Sequence, residues 1–542
     1  MAILPVRDLA SLGVITDVHP YDLPLNAFSY ASNVRFENGK ARRGPVTRVI
    51  QDALPVYPTH VAGYRTGEAN ADAIFVGGSN GTAWRLQRGS VTNVTPTGRL
   101  VAESLEPWSD TFLGDVFYMN RPSSAPMAML PGGAQMVDLT GWGSDWRCGS
   151  LRAFKDFLFA INLTRGQDSF PTSFRWSDAT LAGQTPRSWD TADLSTLANE
   201  VLLAQLDSPL VDAIPLRNSL MLYSKTQIYI VDYTGDTSNA GQNLFVNRMV
   251  SADGGMIALN CAVEIEGKHY VFGVNDLYIT DGNQRLSLGA AKIREWVFRN
   301  MDYGKADRCF VTHMPRFNEV LFGFVSLDDR AHFKATDHCN RGVLFNYVSG
   351  SMAIVDLPNV SRGTNVDMMT GKTWDEMGTT TWDGMGGSWQ GLQSGSSFNP
   401  VFAAVAHQGG AGSHRLVALD NIDTGLIGLP YDPETTAPAI AERVGIDLDN
   451  AGSDLATYKV VRSMFPQVTM RTPGRFQIQV GGALYPSSPV LWDQPVGFNP
   501  ETSYKIDMRV GGRYLAVRFL ETAPADFDLS GFDLDVISGG RR

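Results

Sequence analysis

Ala73-Ile74-Phe75-Val76, then Gly77-Gly78-Ser79-Asn80-Gly81, then Thr82-Ala83-Trp84-Arg85-Leu86 reads as two strands joined by a tight reversal. Apolar, β-branched and aromatic residues flank a turn whose glycines supply the positive φ angles such a reversal needs. Polar turn residues followed by an aromatic strand recur at Gly114–Met119, Lys155–Ile161, Arg217–Tyr223, Lys268–Val274 and Phe317–Phe324. Two of these run into a further strand through a short turn, at Tyr223–Asp232 and Val274–Gly282. The starts fall roughly 40 to 60 residues apart, the length of a four-stranded propeller blade with variable loops. Residues 60–430 are therefore read as the body of an all-β protein, a β-propeller.

The chain changes character at Tyr431-Asp432-Pro433-Glu434, where a Pro- and Thr-rich stretch through Pro438 reads as a linker. Beyond it, Phe476–Val480 and Tyr504–Val510 alternate apolar and polar residues, as half-buried strands do. After Gly511-Gly512 the chain returns as Tyr514–Phe519, and Phe527–Leu529 with Phe532–Val536 completes the pattern. Residues 431–542 are thus expected to form a C-terminal antiparallel β unit, sandwich-like. Residues 1–59 open on a Pro-broken stretch whose Ile3, Leu4, Val6, Leu9 and Leu12 follow neither helical nor strand periodicity. They are expected to form an extended N-terminal docking arm buried on a neighbouring molecule.

Composition bounds the function. With 43% hydrophobic residues and 11 Trp, 17 Tyr and 27 Phe spread over 542 positions, the chain has ample apolar area to fold. No apolar run approaches a membrane span, and the opening residues lack the features of a signal peptide. The 45 Lys and Arg against 56 Asp and Glu leave a net charge of −11, which argues against gripping nucleic acid through a broad basic face. Cys148, Cys261, Cys309 and Cys339 are scattered and stand in no CxxC spacing, so free buried thiols are expected.

The search for chemistry ends without a catalytic, cofactor or metal assignment. GxxxxGK[ST], GxSxG, HExxH and EF-hand patterns are missing from the sequence. Cys309, His313, His332, His338 and Cys339 carry zinc-type donors, yet their spacing matches no closed four-ligand pattern and Cys309 opens an apolar run. Ser251-Ala252-Asp253-Gly254-Gly255 begins like the Asp-box turn of sialidase-type propellers but lacks the aromatic residue that should follow. Asp207, Asp212, Asp276 and Asp281 read as solvated turn aspartates rather than as the carboxylate pair of a glycosidase. The basic clusters Lys40-Ala41-Arg42-Arg43 and Arg541-Arg542 offer local contacts to nucleic acid or an acidic partner. Trp374, Trp382 and Trp389 form a small repeat that reads as a self-packing loop, with a glycan platform as the alternative.

Several segments resemble one family. They are Met1–Leu9, Leu12–Val18, Pro20–Pro24 and Asn33–Lys40 at the start, Trp374–Gly384 in the middle, and Gly512–Phe519 with Leu529–Leu534 and Arg541-Arg542 at the end. In these stretches the chain is similar to the tail nozzle proteins of short-tailed bacteriophages, also called tail tubular protein B or packaged-DNA stabilisation proteins. The resemblance implies a structural virion protein and not an enzyme: a homo-oligomer, hexameric in that family, forming a tube below the portal and adapter rings. Its implied partners are those connector proteins, the tail fibres, and phage DNA that passes through the lumen without sequence-specific binding. Assembly would take place in the host cytoplasm and the mature location would be the virion tail. An acidic lumen would let DNA slide, since it repels phosphates. The alternatives are a propeller-type glycoside hydrolase and a glycan- or receptor-binding tail protein.

Overall fold

Strands Ala73–Gly78 and Ala83–Gln87 pair antiparallel from Ile74↔Leu86 to Gly77↔Ala83, as the glycine-rich turn between them requires. Gly81 takes a φ of +79°, and Asn80 Oδ1 accepts from Thr82 N at 3.0 Å to close the reversal. The Trp108 indole stands 3.0 Å from where a Gly77 side chain would begin, so only glycine admits this contact. This computed structural model describes residues 2–9, 11–64, 73–87, 90–99, 102–238, 241–366, 401–406, 414–420, 422, 431–448, 457–471 and 475–541. The Trp374, Trp382 and Trp389 repeat lies outside the described residues.

The fold is mostly β, with 53% strand and 4% helix. Five separate four-stranded antiparallel sheets follow one another along the chain, each in simple up-and-down order. Their first strands are Pro58–Tyr64, Ser109–Leu113, Trp146–Phe154, Leu210–Leu216 and Ala262–Ile265. In four of them the first turn is a two-residue loop, closed by the pairs Leu113↔Val116, Phe154↔Phe157, Leu216↔Ser219 and Ile265↔Lys268. The left-handed backbone of Asp115, Lys155, Arg217 and Glu266 gives these loops the twist that matches the flanking strands. At Gly114-Asp115, Lys155-Asp156 and Arg217-Asn218 the polar residues that mark the repeat in the sequence are these turns and the aromatic runs after them are the second strands, whereas Lys268-His269 already lie in the strand that follows the turn Glu266-Gly267.

A sixth blade runs Phe310–Met314, Glu319–Phe324 and Cys339–Asn346 into Met352–Val366. That last strand serves twice. Residues 352–356 pair with Cys339–Asn346, while residues 360–366 pair with Val401–Ala406 and open a seventh blade. Val401–Ala406 pairs with Arg415–Asp420, and the outermost position is taken by Val46–Gln51 from the start of the chain. From the second blade to the last, first strands of successive blades pack on one another; His60 of Pro58–Tyr64 reaches Asp110 of Ser109–Leu113, and Met352–Val366 packs on Pro58–Tyr64, closing the ring. Sealing the last blade with an N-terminal strand ties the two ends of the propeller together and leaves no split between the first and last sheets.

The remaining strands build a two-layer unit. One sheet orders Val34–Glu37, Lys40–Arg43, Phe527–Arg541, Thr457–Met470 and Ile506–Gly512, with Ala2–Arg7 also on Phe527–Arg541. The other runs Tyr30–Ser32, Ile440–Ile446, Tyr514–Ala523 and Arg475–Ala483. Phe476, Ile478, Val480, Val517 and Phe519 of one layer share a buried core with Met464, Leu529, Phe532 and Leu534 of the other. The alternation read in residues 476–480 and 527–536 is the inward and outward face of these layers.

Residues 1–59 are correspondingly not a separate arm. Ala2↔Val536 through Arg7↔Gly531 zip the first strand onto the last, and Val46–Gln51 belongs to the propeller. Val6 and Leu9 are 2% and 1% exposed within the chain itself, which contributes about 1.5 to 3 kcal/mol for each side chain buried. Leu4 and Leu12 are half-buried, and Ile3 stays exposed. The second unit's C-terminal strands begin with Ile440–Ile446, and that unit draws its other strands from residues 2–43.

Candidate functional site at the propeller axis

The first strands of a propeller face its axis, and here they carry the ionisable residues His60, Asp110, Arg152 and Asp212, with Arg362 on the strand that opens the last blade. Asp212, fully buried on Leu210–Leu216, accepts Arg152 Nε at 2.8 Å and Nη2 at 2.6 Å from the neighbouring blade. It also accepts Ser150 Oγ at 2.8 Å and Asn260 N at 3.1 Å. Arg152 spends its remaining donors on Asp110 O at 2.7 Å and Asn260 Oδ1 at 2.8 Å. This fork-on-carboxylate pair spans three blades.

A second cluster completes the ring. Asp110 Oδ1 is bound by Arg362 Nη1 and lies 3.1 Å from His60 Nε2, while Arg362 Nη1 also reaches His60 Nδ1 at 3.0 Å. The same Nη1 lies 2.9 Å from His60 Nε2, so the Arg362 guanidinium sits against both ring nitrogens while Asp110 faces Nε2. Burial, with the Arg362 charge beside it, pushes the His60 imidazole down to about 4, so it is neutral at pH 7. Burial alone would raise the Asp110 carboxyl, but Arg362 and His60 outweigh it and hold the group below the usual carboxylate range. His60, Asp110, Arg152, Asp212, Asn260 and Arg362 thus form a charge-balanced plug across the axis.

On one side of the plug opens a funnel of about 470 Å3, lined by Asp110, Arg152 and Arg362 together with Phe112, Glu264 and His313. A small void of about 20 Å3, room for a single water, abuts the same His60, Asn260 and Arg362. Glu264 adds one carboxylate to the funnel wall, and His313 Nε2 sits 3.3 Å from Tyr347 Oη.

No family model matches the chain, and no curated protein does. Among solved structures, the computationally designed Ika8 protein aligns over 76% of this chain and 100% of its own, at 9% identity and a TM-score of 0.34. An overlap that loose carries no argument, and the propeller rests on the strand pairing described above.

The structure sorts the candidates read from the sequence. Asp207 is exposed and Asp281 caps a turn by accepting Asn283 N and Gln284 N, but Asp212 and Asp276 are buried ion-pair partners, correcting their reading as solvated residues. Asp212 sits in an inward strand position, and Asp276 accepts Arg285 Nη2 and Ser287 Oγ. All four cysteines are buried free thiols, each pushed up by burial. Cys309 and His338 border the small void and His313 lines the funnel; no group of three or more metal-type side chains gathers among the described residues. Lys40, Arg42 and Arg43 are engaged within the chain, on Asp528, on Asp528 with Glu37, and on Glu521. Asp253 forms part of a turn in which Ser251 Oγ accepts its N–H at 3.3 Å.

Sequence reasoning missed the plug. Its signal was present, since Asp212 stands between Val211 and Ala213, and Arg362 follows Asn359-Val360-Ser361 in a long strand. A charge in an apolar strand points to a buried partner, but only the closed ring supplies one.

Proposed function

We propose that the chain is a structural virion protein, the tail nozzle of a short-tailed bacteriophage, working as a homo-oligomeric tube that retains packaged DNA and conducts it during ejection. One observation carries the reading: the N-terminal and C-terminal segments that resemble this family fold against each other in one sheet, Ala2–Arg7 on Phe527–Arg541. The family-like first and last segments therefore meet in a single platform, with the propeller attached to it.

Two further features fit. The propeller axis is closed by buried ion pairs, so a passage wide enough for DNA has to lie between copies and not through one propeller. The platform exposes Leu484, Tyr485, Leu491 and Tyr504, apolar area suited to contact with a second copy or a connector ring. The hydrolase alternative is less well served, because the funnel's Asp110 is bound by Arg362 and His60 and lacks the freedom of a glycosidase carboxylate.

The test is genetic and physical. Particles assembled without this chain should package DNA, then leak it and fail to eject into host cells; particles that retain and deliver DNA normally without it contradict the proposal.

A further inference from the structure

The hairpin at the outer edge of the platform's second sheet ends in an uncharged tip. No Asp, Glu, Lys or Arg stands between Arg475 and Asp493, and the turn Leu484-Tyr485-Pro486-Ser487-Ser488-Pro489-Val490 joins Arg475–Ala483 to the short strand Leu491–Trp492. Leu484, Tyr485 and Leu491 are 51%, 61% and 77% exposed, and Pro486, Ser487 and Pro489 are exposed with them. The turn is held from within. Tyr485 N donates to Ser488 Oγ at 3.1 Å, Ser488 Oγ donates to Tyr485 O at 2.8 Å, and Ser488 N donates to the same carbonyl at 3.1 Å. Pro486 and Pro489 have no N–H to satisfy, and Leu491 pairs opposite Gly482 at the base of the turn.

We infer that this tip contacts a lipid bilayer, with Leu484, Tyr485 and Leu491 seated at the boundary between headgroups and acyl chains. Lipid admits a polypeptide turn only where charge is missing and the backbone polar groups are met internally, and this turn combines the two. Its aromatic residues are those favoured at a membrane surface. Tyr485 stands at the tip, and Trp492 stands where the charged body begins, with Asp493 next in sequence and the Arg518 guanidinium 4.0 Å over the indole. The contact is superficial and not a crossing: among the described residues no helix is long and apolar enough to span a membrane.

A docked strand or the cavity of a second copy suits the tip less well. Strand addition draws on free backbone donors, and here those of Tyr485 and Ser488 are spent and those of the two prolines are missing. The open groove on the platform is lined by Arg462, Lys505, Asp507 and Arg509, and the axial funnel by charged residues as well. An uncharged tip seated in either would strip water from those charges and give nothing back. The inference does not rest on the nozzle reading, in which a neighbouring copy or a connector ring covers the same residues. The experiment therefore uses the free chain, and a missing ring and missing lipid binding are read separately.

Flotation of the full-length chain with vesicles of phosphatidylcholine, alone or mixed equally with phosphatidylglycerol, tests it. The chain should float with both, and raising salt from about 0.1 to 0.5 M should change the bound fraction less than twofold, since no charge mediates the contact. Tyr485→Asp and Leu491→Asp should each lower the bound fraction several-fold, and together at least tenfold, with an unchanged melting temperature because neither side chain is buried. Leu202→Asp, at an equally exposed leucine of the third blade, should leave binding as it was. Absence from the vesicle layer, binding confined to the anionic vesicles and lost in high salt, or an equal loss in Leu202→Asp would overturn the inference. So would light scattering in which the two tip variants dissociate an oligomer while lipid binding is unchanged, because the tip would then be covered by a second copy.

Discussion

Arg35, on the N-terminal hairpin of the platform, meets Glu319 of the sixth blade at 2.9 Å, with both side chains 4% exposed. The Arg35 guanidinium also lies 3.5 Å over the Phe317 ring. Close by, Arg341 of the same blade pairs with Asp356, which accepts from Ser32 and Asn33 of the platform. The parallel pair Ser32↔Ile354 carries one continuous sheet from the blade into the platform. Propeller and platform are thereby joined by buried charge as well as by backbone.

Removing one partner of such a pair leaves a buried charge without compensation. Arg35→Ala is expected to cost about 3 to 5 kcal/mol, read as a lowered midpoint in urea unfolding. Arg35→Met combined with Glu319→Leu removes both charges and should lose clearly less than the single variant. Equal losses in the two would show that packing, and not the stranded carboxylate, dominates this junction.

Acid should weaken the propeller through two histidines. Burial pushes His60 and His269 from 6.5 down to about 4. Between those values the unfolded chain binds protons that the folded chain refuses, so stability falls as pH drops from 6.5 to 4 and levels off below. Each group contributes about 3 kcal/mol over that window at 1.36 kcal/mol per pH unit. Burial keeps His269 neutral against the opposing pull of its bond to Pro215 O at 2.8 Å, and its Nδ1 lies 2.7 Å from Tyr223 Oη. Melting temperatures measured from pH 7 to 4 should drop less steeply in His269→Gln than in the wild type.

Gly531 fixes the first strand. A Cβ there would stand 2.4 Å from Val6 O, well inside contact distance. Gly531→Val should therefore release residues 2–7 from Phe527–Arg541 while the propeller stays folded. Hydrogen exchange checks this: amides of residues 2–7 should exchange much faster, and those of Phe157–Arg165 in the third blade should be unchanged.

Much of the fold is legible in the sequence because its signals are local. A two-residue reversal such as Lys155-Asp156 ahead of Phe157-Leu158-Phe159 specifies a turn and the strand after it wherever the rest of the chain lies. The C-terminal alternation at 476–480 is legible for the same reason. What escapes is partnership over long separations. Nothing near Ala2-Ile3-Leu4-Pro5-Val6 states that Val536 lies opposite Ala2, and Pro5 argues against a strand although it pairs opposite Asp533. Val46–Gln51 reads as an ordinary strand, yet its place in the last blade is set by ring closure. The axial plug escapes for the same reason, since Asp110, Asp212 and Arg362 acquire partners only when blades distant in sequence converge on one axis.

The central claim is that copies of this chain enclose a passage that no single propeller provides. Electron microscopy of the purified chain, alone and mixed with the connector ring proposed as its partner, measures that directly. The account predicts closed rings, six-fold as in the family it resembles, with a central opening wide enough for duplex DNA and with the propellers off the ring axis. Monomers at every concentration in both preparations, or rings in which a propeller axis itself forms the opening, would contradict it.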